Sequence, residues 1–238
     1  MAEKGKLVID FHSHVLPGID DGSKSVEESI QMLSISAGQG ITQIAATPHF
    51  YPSENSPEQF LARRKQAVER LRAVWRREFP GLLLGAEVYY FEGMSQVGEI
   101  EALRIEGTSL LLLEMPFEKW SNRMVAEIKA LHNRPGITVL LAHIERYLPF
   151  QKNAVWDELL EAGVMMQSNA SFFLRWSSRH KAIHMLEAGH VHLLGSDCHN
   201  MGERAPRMGG AMKVIGAERC QALERRCRAV LEPEEAVV

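Results

Sequence analysis

Seven short apolar runs alternate with longer helical patterns along this chain, and that alternation limits the fold more than any other feature. Short runs that are apolar on both faces are typical of parallel strands, because helices cover both sides of a parallel sheet. The predicted strands are Leu7–Phe11, Ile41–Ala46, Leu82–Val88, Leu110–Glu114, Thr138–Ala142, Val164–Ser168 and His192–Gly195.

The segments between these runs have the start and stop signals of helices. Ser25 precedes Glu28 by three residues, and Ser56 precedes Pro57, which are arrangements that begin helices. They predict helices over 25–40 and 56–81, with Pro80-Gly81 as the stop of the second. Further helices are predicted at Met124–His132, Val155–Ala162, Ser178–Ala188 and Glu218–Val230.

Strands that alternate with helices form βαβ units, and a parallel sheet of this size commonly closes into a barrel. We therefore predict an α/β fold of the distorted (β/α)7 type, related to the TIM barrel, with an open doubly wound sheet as the alternative. No linker or repeat divides the 238 residues, so we expect a single domain over 1–238. The tail at about 231–238 is expected to fray.

Composition excludes several classes of function. The net charge of −3 provides no field for nonspecific binding to nucleic acid or anionic lipid. No apolar run approaches the length of a membrane span, and the first ten residues have no signal-peptide pattern. The three cysteines, Cys198, Cys220 and Cys227, form no disulfide framework. We expect a cytoplasmic protein that neither binds nucleic acid nor inserts into a membrane.

Ionisable side chains follow nearly every predicted strand. In parallel barrels the functional site lies at the carboxyl ends of the strands, so these side chains should meet on one rim. Asp21 lies in the loop after the first strand. The residues at the strand ends are His12, His14, His49, Glu87, Glu114, His143, Asp197 and His199.

A rim of this composition predicts bound cations. A lone histidine at a strand end is usually structural, but Glu114 follows four leucines and must be paired or coordinated. Imidazole and carboxylate ligands together suit zinc, manganese or iron. The nine groups exceed what one ion takes, so we expect two or three ions, with Glu87 as a bridge. Clustered metals of this kind commonly activate water for phosphoryl displacement.

Two arginines are candidates for binding phosphate at the same rim. Arg146 follows His143 by three residues, and Arg204 follows His199 by five. Guanidinium groups bind phosphate oxygens through paired hydrogen bonds and neutralise charge in phosphoryl transfer. The alternative is that both arginines are ordinary solvated surface residues.

The motifs "DFHSHVLPGIDDGS", "TPHFY", "GAEVYY", "AHIERY", "QSNAS" and "SDCHN" resemble those of the capsule-type protein-tyrosine phosphatases of the PHP superfamily. These are bacterial metal-dependent enzymes that are paired with polysaccharide-assembly tyrosine kinases. The resemblance runs from about residue 7 to 208 and fades after about 210, where the family's closing Asn-Pro segment is not evident.

The resemblance implies a distorted (β/α)7 barrel with a trinuclear site. Manganese is the expected metal, with iron, zinc or magnesium as alternatives. Arg146 and Arg204 would bind phosphate and act in catalysis. The implied activity is hydrolysis of phosphotyrosine by metal-activated water, on a tyrosine kinase that regulates capsular or exopolysaccharide biosynthesis. The implied metal ligands are His12, His14, Asp21, His49, Glu87, Glu114, His143, Asp197 and His199.

Other functions stay open at this point. Cys198 and Arg204 match the C-x5-R signature of cysteine-dependent phosphatases, although Asp197 would raise the pKa of that thiol. A small-molecule phosphatase, such as one for histidinol phosphate, could use the same metals. A PHP-type nuclease or a non-catalytic metal-stabilised scaffold is a further alternative. The basic helix that begins at Ser56 is either a solvated face or a docking surface for an acidic partner.

Overall fold

The computed structural model describes residues 6–231, and each of the seven predicted strands and six predicted helices has a counterpart there. The strands are β1 Ile9–Ser13, β2 Gln43–Ala46, β3 His49–Phe50, β4 Gly81–Leu84, β5 Glu87–Tyr89, β6 Leu110–Glu114, β7 Thr138–Leu141, β8 Met165–Asn169 and β9 Leu193–Gly195. The helices are α1 Val26–Gly38, α2 Pro57–Arg72, α3 Asn122–His132, α4 Asn153–Glu161, α5 Ala170–Leu174, α6 Trp176–Glu187, α7 Met208–Ile215 and α8 Ala217–Val230.

The strands form a curled, parallel arrangement. Their order is β1-β2-β4 in one sheet and β3-β5-β6-β7-β8-β9 in the other, and every pair is parallel. Hydrogen bonds also join the first strand to the segment after the last one. His14 N donates to Cys198 O over 2.9 Å, and Asp197 N donates to His12 O over 2.8 Å. The carboxyl ends of β1 and β9 therefore lie side by side.

The prediction of a continuous strand over Leu82–Val88 was wrong, and a short further strand, β3, follows the second predicted strand after a break. The second predicted strand ends at Ala46, and Pro48, which has no N–H to donate, separates β2 from β3. The third is interrupted at Gly85, where an added Cβ would lie 3.0 Å from Ile105 Cγ1. The two breaks are side by side, since Gly85 N donates to Ala46 O and Glu87 N donates to Pro48 O. The paired strands therefore change direction together.

Both faces of the central strands are buried. On β6, Leu111 and Leu113 pack into a large apolar cluster shared with the helices, while Leu110 and Leu112 belong to a smaller cluster on the other face. The smaller cluster also takes in residues of β1, β2, β7 and β9, because the sheet curls around it. Burial on both faces explains the continuous apolar runs in the sequence.

The predicted helix starts at Ser25 and Ser56 are confirmed. The predicted end of the second helix was wrong, and two helices were not predicted. The Ser25 side chain accepts from Glu28 N, and Ser56 forms a reciprocal capping box with Gln59. The second helix ends at Arg72, well before the predicted stop at Pro80-Gly81. Neither α5 nor α7 was predicted. In α7, Gly209 donates its N–H to Gln39 Oε1, a long-range contact that no local pattern shows.

The predicted fraying of the tail concerns residues that lie outside the described range, apart from Leu231. Within residues 6–231, none of the helices has the length and apolar character needed to cross a bilayer.

Candidate metal centre

The curled sheet gathers the predicted metal-binding side chains at its carboxyl edge. His12 and His14 lie at the end of β1, and His49 begins the short strand β3. Glu114 ends β6, and Glu87 begins β5. His143, Asp197 and His199 follow β7 and β9 within a few residues. The predicted ligand residues therefore share one end of the fold, as the strand-end pattern indicated.

Glu87 lies at the middle of this cluster. Its Oε2 atom is 3.1 Å from His12 Nε2, 3.3 Å from His14 Nε2 and 3.0 Å from His49 Nδ1. Its Oε1 atom is 2.9 Å from His143 Nε2. One buried carboxylate thus faces four imidazoles, which is the position that the sequence assigned to a bridging ligand.

Three overlapping groups of side chains have the spacing of metal sites. In each group the nitrogen and oxygen atoms lie within 4.8 Å of one another. Shared members place the three groups next to one another. The groups are His14, Asp21, His49 and His199; His12, His14 and Glu87; and His49, Glu87 and Glu114.

Several nitrogen and oxygen atoms of the cluster are buried without hydrogen bonds within residues 6–231, as expected of atoms that bind a divalent cation. Glu87 Oε2, His49 Nδ1 and His199 Nε2 are buried, and although other polar atoms lie near them, none among the described residues is aligned to form a hydrogen bond with them. His12 Nε2 and His14 Nε2 face each other over 3.1 Å. Buried polar atoms are rarely left without partners, so a mixed set of unpaired imidazole and carboxylate donors indicates a cation site.

The charges of the cluster also indicate a cation site. Burial disfavours protonation of His14, but the nearby carboxylates of Asp20 and Glu87 outweigh it and raise its pKa to about 10. Burial also opposes protonation of His143, but the carboxylates of Glu114 and Glu87 outweigh it and raise the pKa of His143 to about 9. Burial and the positive charge of His14 instead lower the pKa of His199 to about 3. Raised imidazole pKa values show an excess of buried negative charge, which bound cations could neutralise.

His143 and Asp197 lie beside the three groups and outside them. His143 Nε2 is 3.4 Å from Glu114 Oε1 as well as close to Glu87. Asp197 Oδ1 is 3.6 Å from His12 Nε2 and 3.5 Å from His199 Nδ1. Both residues therefore reach the cluster at its edge.

Asp21 is the exposed member of the cluster. Its side chain is 62% exposed, whereas most of the other predicted ligands are almost completely buried. Asp21 Oδ1 lies 3.4 Å from His49 Nε2 and 3.3 Å from His199 Nε2. A cation held between these three residues would face solvent on the Asp21 side.

The two predicted phosphate-binding arginines meet at Asp197. Arg204 Nη2 donates to Asp197 Oδ1 over 2.6 Å, and Arg146 Nη2 donates to Asp197 Oδ2. Both guanidinium groups remain more than one-third exposed. The structure therefore places two positively charged arginine side chains at the solvent edge of the cluster.

Sequence reasoning missed the residues that orient the cluster. Asp20 Oδ2 accepts from His14 Nδ1 over 2.7 Å and from His49 N over 3.0 Å. Gln167 Oε1 lies 3.2 Å from His12 Nδ1 and accepts from His143 N over 2.7 Å. A local signal existed for Gln167, because it points to the same side of β8 as Asn169 at the strand's carboxyl end. No local signal distinguished Asp20 from Asp21.

The backbone at two strand ends adopts an uncommon conformation. His143 has a φ of 30° and Asp197 a φ of 53°, and they are the non-glycine residues with positive φ among those described. This left-handed region is unfavourable for residues with a Cβ. Both belong to the candidate site, where such strain is commonly retained because it aims a side chain.

The sequence matches the family described as capsular polysaccharide synthesis, CpsB/CapC, over residues 8–228. The chain belongs to this family. The match continues about twenty residues beyond residue 208, where the resemblance recognised in the sequence ended, so the family likeness extends into α8.

Relatives of this CpsB/CapC member have been named as phosphatases. Tyrosine-protein phosphatase CpsB of Streptococcus agalactiae serotype V is 32% identical over 233 residues, which cover 91% of this chain and 94% of that protein. Tyrosine-protein phosphatase YwqE of Bacillus subtilis is 28% identical over 222 residues, with coverages of 89% and 85%. The predicted resemblance to capsule-type tyrosine phosphatases is therefore confirmed.

A solved structure supports the same relationship. It comes from a study of YwqE from Bacillus subtilis and CpsB from Streptococcus pneumoniae, described as unique metal-dependent tyrosine phosphatases. The TM-score is 0.80 at 25% identity, and the alignment covers 94% of each chain.

Aromatic side chains border the centre of this CpsB/CapC member. The ring of Tyr51 stacks on His49 at 5.2 Å and lies 5.7 Å from Tyr89. On another side, Phe117 is 47% exposed and lies 5.9 Å from His143. Phe50, the neighbour of His49 in the chain, is instead buried in the core.

The alternative that uses Cys198 as a nucleophile conflicts with the structure. Cys198 is completely buried in the large apolar cluster, and burial raises the pKa of its thiol far above the ordinary value. Arg204 contacts Asp197 through its guanidinium group. A buried, protonated thiol has neither the access nor the charge that a nucleophile needs.

Proposed function

We propose that this chain is a metal-dependent phosphatase that hydrolyses phosphotyrosine in proteins. The observation that carries the proposal is the buried cluster around Glu87, whose unpaired donors face one another beside two exposed arginines. Membership of the CpsB/CapC family supports it, since relatives in that family are named tyrosine-protein phosphatases.

We assign two or three divalent ions, most simply manganese, to the cluster. Such ions supply water activation and neutralise charge on phosphoryl oxygens. The protein's own contribution is to hold the donors in a largely buried, negatively charged cluster, with the second ring nitrogens of His12 and His14 fixed by Gln167 and Asp20. The proposed metal ligands are His12, His14, Asp21, His49, Glu87, Glu114, His143, Asp197 and His199.

Arg146 and Arg204 are proposed to bind the phosphoryl group. Both already bond to Asp197 at the solvent edge, so a substrate phosphate would share guanidinium groups whose position is fixed. Fixed guanidinium donors stabilise the charge that develops on phosphoryl oxygens without having to reorganise.

An aryl substrate fits the aromatic border of the centre. Tyr51 and Phe117 flank the cluster on different sides, and Arg146 lies 5.9 Å from the Phe117 ring. A phenyl ring whose phosphate reaches the arginines would contact apolar ring surface, which stabilises aromatic ligands. This border supports phosphotyrosine as the substrate.

Several finer features belong to the same proposal. The curled sheet is interpreted as a distorted (β/α)7 barrel within a single domain over 1–238, supported by the hydrogen bonds between β1 and the segment after β9. A cytoplasmic location and a polysaccharide-assembly tyrosine kinase as substrate are further parts of the proposal, and the family's connection with capsular polysaccharide synthesis supports the choice of substrate.

The test is hydrolysis of a phosphotyrosine peptide by the purified protein before and after chelation, with manganese added back. We expect chelation to abolish activity and manganese to restore it. His12→Ala should be inactive, whereas Cys198→Ser should retain most activity. Activity that survives chelation, or an inactive Cys198→Ser protein with normal metal content, would contradict the proposal. Histidinol phosphate hydrolysed in preference to the peptide would contradict the assigned substrate.

A further inference from the structure

A second pocket lies directly beside the candidate metal centre. It is open to solvent, has a volume of about 390 Å³, and shares Arg146, Asp197 and Arg204 with the centre. Arg175 and Arg207 also line it, and nothing in the proposed chemistry uses them. A group bound in this pocket would therefore be next to a phosphoryl group held by Arg146 and Arg204.

The charges of the pocket are unbalanced. Four arginines line it, against the carboxylates of Asp197 and Glu203. Asp197 is already bonded to Arg146 and Arg204. Among residues 6–231, no carboxylate forms a salt bridge with the two remaining arginines. The pocket thus presents two guanidinium groups whose hydrogen-bonding capacity is unused by the part of the chain that the structure describes.

The backbone that carries these two arginines is anchored. Arg175 lies at the junction of α5 and α6, where its N–H donates to Ser171 O over 3.2 Å. Arg207 immediately precedes α7, and its carbonyl accepts from Gly210 N over 3.1 Å. The neighbouring Pro206 carbonyl accepts from Gln39 Nε2 over 2.8 Å. Fixed attachment points reduce the entropic cost of holding an anion between the two side chains.

The surface next to the pocket is suited to a peptide chain. Trp176, which follows Arg175, is 90% exposed, the largest exposure among the big apolar side chains of the described chain. Tryptophan and arginine are enriched where proteins contact one another. A peptide lying across the centre could therefore contact both residues.

We propose that Arg175 and Arg207 form a subsite for a second anionic group of the substrate peptide, a carboxylate or a second phosphate close to the phosphotyrosine. This inference rests on the proposed phosphatase function. An extended peptide rises about 3.3 Å per residue, so a side chain one to three residues away stays within about 10 Å of the phosphotyrosine. Guanidinium pairs bind both kinds of oxyanion.

The test uses the metal-loaded full-length chain and three peptides that share one phosphotyrosine. Residues flanking the phosphotyrosine are glutamine in the first peptide, glutamate in the second, and glutamine with one phosphoserine in the third. We expect the wild type to show about tenfold higher kcat/KM for an anionic flank, mainly through KM, as charged hydrogen bonds outside the reacting group would produce.

The double variant Arg175→Gln/Arg207→Gln should lose this preference and retain its kcat/KM for the glutamine peptide. Arg225→Gln is the charge control, because Arg225 is exposed on α8. Its neighbour Arg226 donates to Val191 O, just before β9, so α8 lies at the opposite end of the sheet. The control should keep the preference.

The peptides distinguish the two possible anions, a carboxylate and a second phosphate. Equal gains with glutamate and phosphoserine support a subsite for acidic residues, and a larger gain with phosphoserine supports a second phosphate. No preference in the wild type, or a preference that persists in the double variant, overturns the inference.

Binding measurements keep this test apart from that of the proposed function. The same peptides carrying a non-hydrolysable phosphonate in place of the phosphotyrosine phosphate are titrated calorimetrically. If no peptide is hydrolysed, the phosphatase proposal fails. A Kd that is about tenfold lower for anionic flanks, only while Arg175 and Arg207 are present, would still support the subsite. Equal Kd values would overturn it.

Discussion

At the scale of single residues, the candidate centre depends on side chains that hold other side chains. Asp20 accepts from His14 Nδ1, which leaves Nε2 of that ring directed at Glu87. Gln167 Oε1 likewise contacts His12 Nδ1, which leaves Nε2 of His12 directed at Glu87. Metal-binding imidazoles generally need such a partner on the second nitrogen, because it sets the tautomer and the ring orientation.

Replacing Asp20 should therefore weaken metal binding without removing a ligand. We expect Asp20→Asn to lower affinity for manganese by about 10-fold to 100-fold, since the amide retains the shape but loses the charge. Competition against a chelator of known affinity would measure this change. Glu203→Gln removes an equal charge from the neighbouring pocket and should bind metal like the wild type. Unchanged affinity in Asp20→Asn would show that Asp20 does not orient His14.

The energetic cost of the left-handed backbone at Asp197 can be measured apart from the role of its carboxylate. In metal-free protein, Asp197→Gly should be more stable to unfolding than Asp197→Ala by about 1 kcal/mol, because glycine tolerates a φ of 53°. At Glu114, a buried carboxylate whose φ is not positive, the order of the two substitutions should reverse. Denaturant midpoints of the four variants measure both differences. The same order at both positions would argue against backbone strain at Asp197.

At the scale of elements, α2 supports the loop that leads to the metal centre. The sequence left its basic face as either a solvated surface or a docking site. The structure shows that Arg70 Nη2 donates to Pro17 O over 2.6 Å and Arg63 Nη2 to Ile19 O over 2.7 Å. Arg64 Nη1 donates to Gly85 O, at the break before Glu87. Three of the arginines therefore bind backbone that carries the candidate ligands.

Removing these contacts should loosen the loop locally. We expect Arg63→Gln/Arg70→Gln to lower the free energy of opening for residues 17–22 by ~2 kcal/mol, because two hydrogen bonds are lost and each usually contributes ~1 kcal/mol. Amide hydrogen exchange of that segment measures the change. Arg72→Gln/Arg77→Gln removes equal charge from exposed positions on and beyond the same helix and should leave the exchange unchanged. Equal effects of the two pairs would indicate a general loss of charge.

At the scale of the whole molecule, a half-buried histidine couples stability to pH at the end of the sheet opposite the metal centre. His192 Nδ1 accepts from Met166 N over 3.0 Å, which requires an unprotonated nitrogen. Burial, followed by the charges of Arg226 and His190, lowers its pKa from 6.5 to about 4. The unfolded chain therefore binds this proton at higher pH than the folded chain does, so stability falls as the pH drops from about 6.5 towards 4.

His192→Asn should weaken this pH dependence, because the amide oxygen can accept the same hydrogen bond and does not titrate. We expect the loss of unfolding free energy between pH 7 and pH 5 to be smaller in the variant than in the wild type. Chemical denaturation at the two pH values, in the presence of a chelator, provides the comparison. An equal loss in both proteins would exclude His192 as a source of the pH dependence.

The sequence by itself determined the α/β alternation and the positions of the candidate ligands. Each signal was local: apolar runs marked strands, and ionisable residues followed those strands. Parallel topology then brings all carboxyl ends of the strands together, so a list of strand ends was sufficient to predict a common site.

Only the tertiary structure decided the features that depend on distant partners. The breaks at Pro48 and Gly85 occur where two strands bend together, and α7 depends on a contact with Gln39. The contacts of Asp20 with His49 and of the α2 arginines with the loop after β1 join residues far apart in the chain, and Arg175 and Arg207 line one pocket although 32 positions separate them. Local patterns report propensity, whereas these contacts arise only once folding has brought separate elements within hydrogen-bonding distance.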